Sequence, residues 1–204
     1  MTPELEKVIA AKVRPILLKG RQGDWDHTLR TIGFARRLLE KENGDADIVI
    51  PALYLHDIGW SAINYQDFID AAPAKKKETR SLQRHMAESA RMATEILKDL
   101  SFTRGQQAKI TAIIAVHDDP DKIFALDNIS ATLVMEADRL DRYGLNSVRR
   151  YQDMFGRKNS LRRKSVDSIV DVGTTFRITL PVNQDAVSFH KEALDQMSND
   201  RGGR

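Results

Sequence analysis

The chain has no cysteine among its 204 residues. Disulfide scaffolds, zinc–cysteine sites and cysteine nucleophiles are therefore excluded. No apolar run approaches the roughly 20 residues needed to cross a bilayer. A glycine-rich phosphate loop and the Gly-x-Ser-x-Gly elbow of serine hydrolases are also missing. The N-terminus, Met1 to Lys7, is charged and lacks the apolar core of a secretory signal. These absences set the expectation of a cytoplasmic protein with no membrane partner. Charge of one sign is scarce in excess: 32 basic against 29 acidic residues leave a net +3. That imbalance is too small to argue for nucleic-acid binding by itself, and the basic stretch from Arg149 to Lys164 reads as a solvated face sooner than as a nucleic-acid contact.

What is present is ordinary for a globular chain. Hydrophobic residues make up 41% and charged residues 30%. The length suits one domain with a substantial core. Apolar residues at helical spacing predict six helices before residue 145. They cover about 4–19, then a second starting with Asp24 as its cap, a third from Asp45 or Asp47 to Gly59, and others near 79–100, 103–117 and 129–143. Pro51 is expected in the first turn of the third helix. Residues 60–77 read as an irregular loop containing Trp60, Tyr65 and Phe68, aromatics that suit either base stacking or packing. Asp118-Asp119-Pro120-Asp121 reads as a turn. Residues 165–180 suit a short strand pair or a helix broken at Gly173, and 186–197 suit a helix. The expected organisation is an all-α domain over 1–156 and a C-terminal extension over 157–204 that packs on it.

The histidines stand out against this pattern. His56 falls at i+7 from Val49, on the stripe of Val49, Ala52 and Leu53. His27, His85 and His117 each share an apolar helical face, and Asp138 continues that of Ala131, Val134 and Met135. Positions 27, 56, 85, 117 and 138 are spaced 29, 29, 32 and 21 residues apart, about one helical hairpin each. Antiparallel helices joined by short loops bring such side chains to one level of a bundle. A single histidine on an apolar face is usually a hydrogen-bonded core residue. Burying four histidines with Asp57 and Asp138 and no counter-charge is expensive, and a divalent metal relieves that cost. Imidazole nitrogen and carboxylate oxygen suit Mn, Fe, Co, Zn and Ni, and carboxylate alone suits Mg. Arg30, one turn beyond His27, and Lys76, in the Lys75–Lys77 run, are candidate phosphate contacts, with a solvent-facing charge as the alternative for each.

Three segments carry a family likeness: Asp24-Trp25-Asp26-His27-Thr28-Leu29-Arg30, then Leu55-His56-Asp57-Ile58-Gly59, then Met135 to Gly144 with Asp138. In this order they resemble the HD-domain superfamily of metal-dependent phosphohydrolases, over about residues 20–145. The likeness is greatest to small stand-alone bacterial HD hydrolases, some of which cleave nucleoside triphosphates to monophosphate and pyrophosphate. The resemblance implies an all-helical bundle with His27, His56, Asp57 and Asp138 as ligands of one divalent metal. Two-metal members also carry histidines matching His85 and His117, and there Asp57 bridges the ions.

The implied activity is hydrolysis of a phosphoester or phosphoanhydride, with a nucleotide as the favoured substrate and water activated by one or two metal ions. Asp57 is then catalytic as well as a ligand. A homodimer is compatible with this reading. Two departures narrow it. Trp60 stands where cyclic-dinucleotide phosphodiesterases of the family often carry lysine, and no Gly-Tyr-Pro motif occurs. Nor is there a carboxylate three residues beyond Asp57, where some nucleoside 5′-monophosphate hydrolases carry a glutamate. Two other classes use the same scaffold: a di-iron oxygenase with the same ligands, and a non-catalytic nucleotide-binding signalling module.

Overall fold

The computed structural model describes residues 1–71, 79–155, 177, 191, 192 and 195. Among them there are helices and no strands, so the all-α expectation holds. The helices are α1 (Pro3–Leu17), α2 (Asp24–Leu39), α3 (Ala46–Leu55), α4 (Gln66–Asp70), α5 (Arg80–Lys98), α6 (Arg104–Ile114), α7 (Pro120–Ala125), α8 (Ile129–Leu140) and α9 (Gly144–Phe155). A 3-10 turn over Ile58–Ala62 follows α3. Contacts divide the chain into two compact units, residues 1–137 and 138–204. The expected strand pair and Lys75–Lys77 lie outside the described residues, as does nearly all of the C-terminal extension. No helix among the described residues is long and apolar enough to cross a membrane.

The first unit is organised around α3. Every residue from Ile48 to Leu55 is buried, so the helix is apolar on all sides rather than along one stripe. Helices α1, α2, α5 and α6 pack on it. Asp45 caps its start by accepting from the Asp47 N–H at 2.9 Å. Pro51 is the sixth residue of α3 and not in its first turn. It forgoes the bond to the Asp47 carbonyl, a loss that packing on all sides offsets.

Several boundaries differ from those the pattern predicts, each for a local reason. Asp24 does not cap α2. Gly23 does, with φ of 79° in the left-handed region that glycine tolerates. The Asp24 carboxylate instead accepts from the Arg21 backbone N–H at 2.8 Å and from Arg21 Nε at 3.2 Å. Helix α3 stops at Leu55, before Gly59, because Asp57 leaves helical geometry at φ −106°, ψ 3°. Helix α6 starts at the expected cap, with a reciprocal Thr103–Gln106 capping box, but ends at Ile114. The 60–77 segment is partly regular: Ser81, at the start of α5, bonds Asp67 of α4 and the Asn64 carbonyl. The predicted acidic turn is the cap of α7, where Asp119 accepts from the Lys122 N–H. Helix α9 was not anticipated at all.

Gly59 lies directly against α5. Its N–H donates to Ser89 Oγ at 2.8 Å. A Cβ at this position would lie 2.3 Å from the His85 carbonyl oxygen and 2.5 Å from the Ser89 nitrogen, both backbone atoms of α5. The glycine thus lets the 3-10 turn lie directly on α5, which brings Asp57 towards His85. Gly59→Ala should cost about 1–3 kcal/mol of stability by overpacking. Denaturant titration of the metal-free protein checks this. A variant as stable as the parent would show that the turn can lift from α5 without loss.

Candidate metal centre

Helix ends deliver the central residues. His56 is the C-cap of α3, and Asp57 follows it. His117 comes three residues after the last residue of α6. His27 lies in the first turns of α2 and His85 in the second turn of α5. Three of the rings are anchored in the same way. Nδ1 of His56 donates to the Leu53 carbonyl at 2.7 Å, Nδ1 of His85 to Leu82 at 2.6 Å, and Nδ1 of His117 to Ile114 at 2.8 Å. Leu53 and Ile114 sit in last helical turns, where carbonyls lack helix partners. Each ring therefore satisfies backbone with one nitrogen and presents the other to the interior.

The interior nitrogens meet at Asp57. Nε2 of His56 is 3.4 Å and Nε2 of His27 3.7 Å from Asp57 Oδ2. Nε2 of His85 is 3.6 Å and Nε2 of His117 3.7 Å from Oδ1. One carboxylate thus has a pair of histidines on each of its oxygens. Within each pair the Nε2 atoms are 3.3 Å apart. Two imidazole nitrogens about 2.1 Å from a shared ion would sit about 3.0–3.4 Å apart. Asp118 adds a second carboxylate on one side, with Oδ2 3.5 Å from His85 Nε2 and 3.8 Å from His117 Nε2. His56, Asp57 and His117 offer ligand atoms all within 4.8 Å of one another, and so do His85, His117 and Asp118.

The donor chemistry fits a divalent ion. A neutral imidazole that donates from Nδ1 has a bare lone pair on Nε2. His85 and His117 turn their Nε2 atoms towards each other at 3.3 Å, and a cation between two such nitrogens is a favourable arrangement. Burial, with repulsion from His117, holds the His85 pKa down at about 3, against the pull of Asp118 and Asp57. This keeps His85 neutral, the form that ligates. Burial pushes the Asp57 carboxyl up, but Arg21 and His56 outweigh it and hold the pKa well below the ordinary value. Asp57 is therefore held ionised.

Two neighbours fix the Asp57 carboxylate. Arg21 Nη2 donates to Oδ2 at 2.5 Å. Trp60 Nε1 donates to Oδ1 at 3.0 Å. Trp60 is buried, stacks on His85 with centroids 4.2 Å apart and planes 15° apart, and packs against Phe68. It is a packing residue here rather than an exposed platform for a base.

The first unit therefore brings together His27, His56, Asp57, His85 and His117. Asp138 is buried in the last turn of α8, at the start of the second unit, where Arg142 Nη2 donates to its Oδ2 at 3.0 Å. Arg30 sits one turn beyond His27 on α2 and is half-buried. Lys76 lies outside the described residues. Sequence reasoning missed Arg21 and Asp118. Nothing in the Gly20–Gly23 break marked Arg21, and the turn composition around Asp118 concealed its place beside His117.

A helical domain that gathers four histidines on one ionised aspartate is of a class built to hold divalent metal. The chain belongs to the HD-domain family, whose model matches residues 24–143. Two solved structures share the fold. One is an HD-superfamily hydrolase from Bacillus thuringiensis, 21% identical, with a TM-score of 0.62 and 98% of each chain covered. The other is a protein from Lactobacillus plantarum, 16% identical, with a TM-score of 0.61 and all of each chain covered. No curated protein matches the sequence.

The lowered His85 pKa has a consequence for stability. Its folded value of about 3 lies below the ordinary 6.5, so folding favours the neutral ring. The contribution is complete above about pH 6.5 and shrinks as pH falls towards 3. The melting temperature of metal-free protein should fall across that window, and His85→Gln should flatten part of the decline. Equal slopes for the two proteins would contradict a buried, neutral His85.

Proposed function

We propose that the chain is a metal-dependent phosphohydrolase that cleaves a phosphoester or phosphoanhydride bond in a small phosphorylated substrate, with a nucleotide favoured. The observation that supports this most is the Asp57 carboxylate with a histidine pair on each oxygen. In this reading His27 and His56 would hold one ion, with Asp138 as the further ligand expected from the sequence, His85, His117 and Asp118 would hold a second, and Asp57 would be a ligand to both. Mn, Fe, Co, Mg, Zn and Ni all remain candidate metals. A bound divalent ion supplies Lewis acidity and lowers the pKa of its water, so no side-chain nucleophile is required.

The residues of the chain do the rest. The carbonyls of Leu53, Leu82 and Ile114 hold three rings in the ligating tautomer. The Trp60 N–H holds Asp57 Oδ1. Arg30 and Lys76 are proposed to neutralise charge on the phosphoryl group.

Elemental analysis of protein purified without added metal or chelator, paired with a screen of nucleoside tri-, di- and monophosphates, tests this reading. Two metals per chain are expected, falling to one in His85→Ala and in His117→Ala. Asp57→Ala should lose metal and turnover together. Full phosphatase turnover in Asp57→Ala would overturn the proposal. So would two irons with oxygen uptake and no phosphate release.

A further inference from the structure

Arg21 stands apart from the ligand set but touches its centre. Its side chain is 11% exposed and lies in the break between α1 and α2. The guanidinium is held on three sides. Nη2 donates to Asp57 Oδ2 at 2.5 Å, Nε donates to Asp24 Oδ1 at 3.2 Å, and the group lies 4.2 Å from the centroid of the Trp60 ring. Asp24 is itself buried, at 1% exposure, and its other oxygen accepts the Arg21 backbone N–H.

This placement is costly for a site whose only task is to hold metal. A fixed positive charge on the central carboxylate repels any cation bound there and competes for the same oxygen. The cost is explained if the charge has a second task. A guanidinium fork is the side chain best matched to phosphoryl oxygens, which it binds through two parallel donors. Asp24 and the Trp60 face hold the group at the rim whether or not Asp57 is engaged.

Resting on the phosphohydrolase reading above, we propose that Arg21 is the substrate-anion contact of this site. It neutralises Asp57 in the metal-free protein, and it binds phosphoryl oxygens of the substrate once divalent metal takes that carboxylate. Metal loading thereby converts an internal ion pair into an anion site.

Calorimetric titration separates this role from simple support of Asp57. Manganese is titrated into metal-free protein first, and inorganic phosphate into manganese-loaded protein second, for the parent, Arg21→Gln and Arg21→Lys. Loss of charge-assisted hydrogen bonds should weaken phosphate binding about 10–100-fold in Arg21→Gln. Arg21→Lys, which keeps the charge without the fork, should fall between. Manganese should bind more tightly to Arg21→Gln, because a competing cation is gone. Phosphate affinity within twofold of the parent in both variants would overturn the proposal. Weaker manganese binding in Arg21→Gln would also overturn it, making Arg21 a support for Asp57. Failure of the parent to bind two manganese ions would instead count against the binuclear reading itself.

Discussion

One buried carboxylate sets the terms for the first unit. Asp57 stays ionised although burial opposes it, because Arg21 and His56 outweigh that penalty. An isolated charge in such a place would be neutralised or would unfold its surroundings. Each neighbouring element is placed to prevent that. Helix α3 ends so that His56 and Asp57 emerge from the core together, and the 3-10 turn returns Trp60 to the same carboxylate. Gly59 allows that turn to lie on α5, and α5 and α6 deliver His85 and His117.

The histidines obey the complementary constraint. Three use one ring nitrogen on a backbone carbonyl three residues earlier. The other nitrogen faces the interior, towards Asp57. Two such nitrogens 3.3 Å apart, when both rings are neutral, are unfavourable on their own and favourable around a cation. Ionised carboxylate and neutral imidazole are the protonation states that metal binding requires, and burial and neighbouring charge favour them at Asp57 and His85. Stability and metal affinity are linked in such a centre. The interactions that make the metal-free interior costly are those that a bound ion would satisfy.

Much of this was legible from spacing alone. His56, His85 and Asp138 lie on apolar helical faces, so periodicity places them inside and their chemistry then points to metal. His117 is buried beside His85 although it lies beyond the end of α6. Other features carry no periodic signal. Arg21 sits in a glycine-flanked break, and only the tertiary fold brings it to Asp57. Asp118 is surrounded by turn-forming residues that would look the same in a solvent loop. The full burial of α3 follows from residues 48–55, none of which is charged.

Anomalous diffraction from crystals of the manganese-loaded protein tests the central role of Asp57 most directly. Two peaks are expected, one beside the His27–His56 pair and one beside the His85–His117 pair, with an Asp57 oxygen as ligand to each. A single peak, or two peaks that do not share Asp57, would contradict the bridging carboxylate.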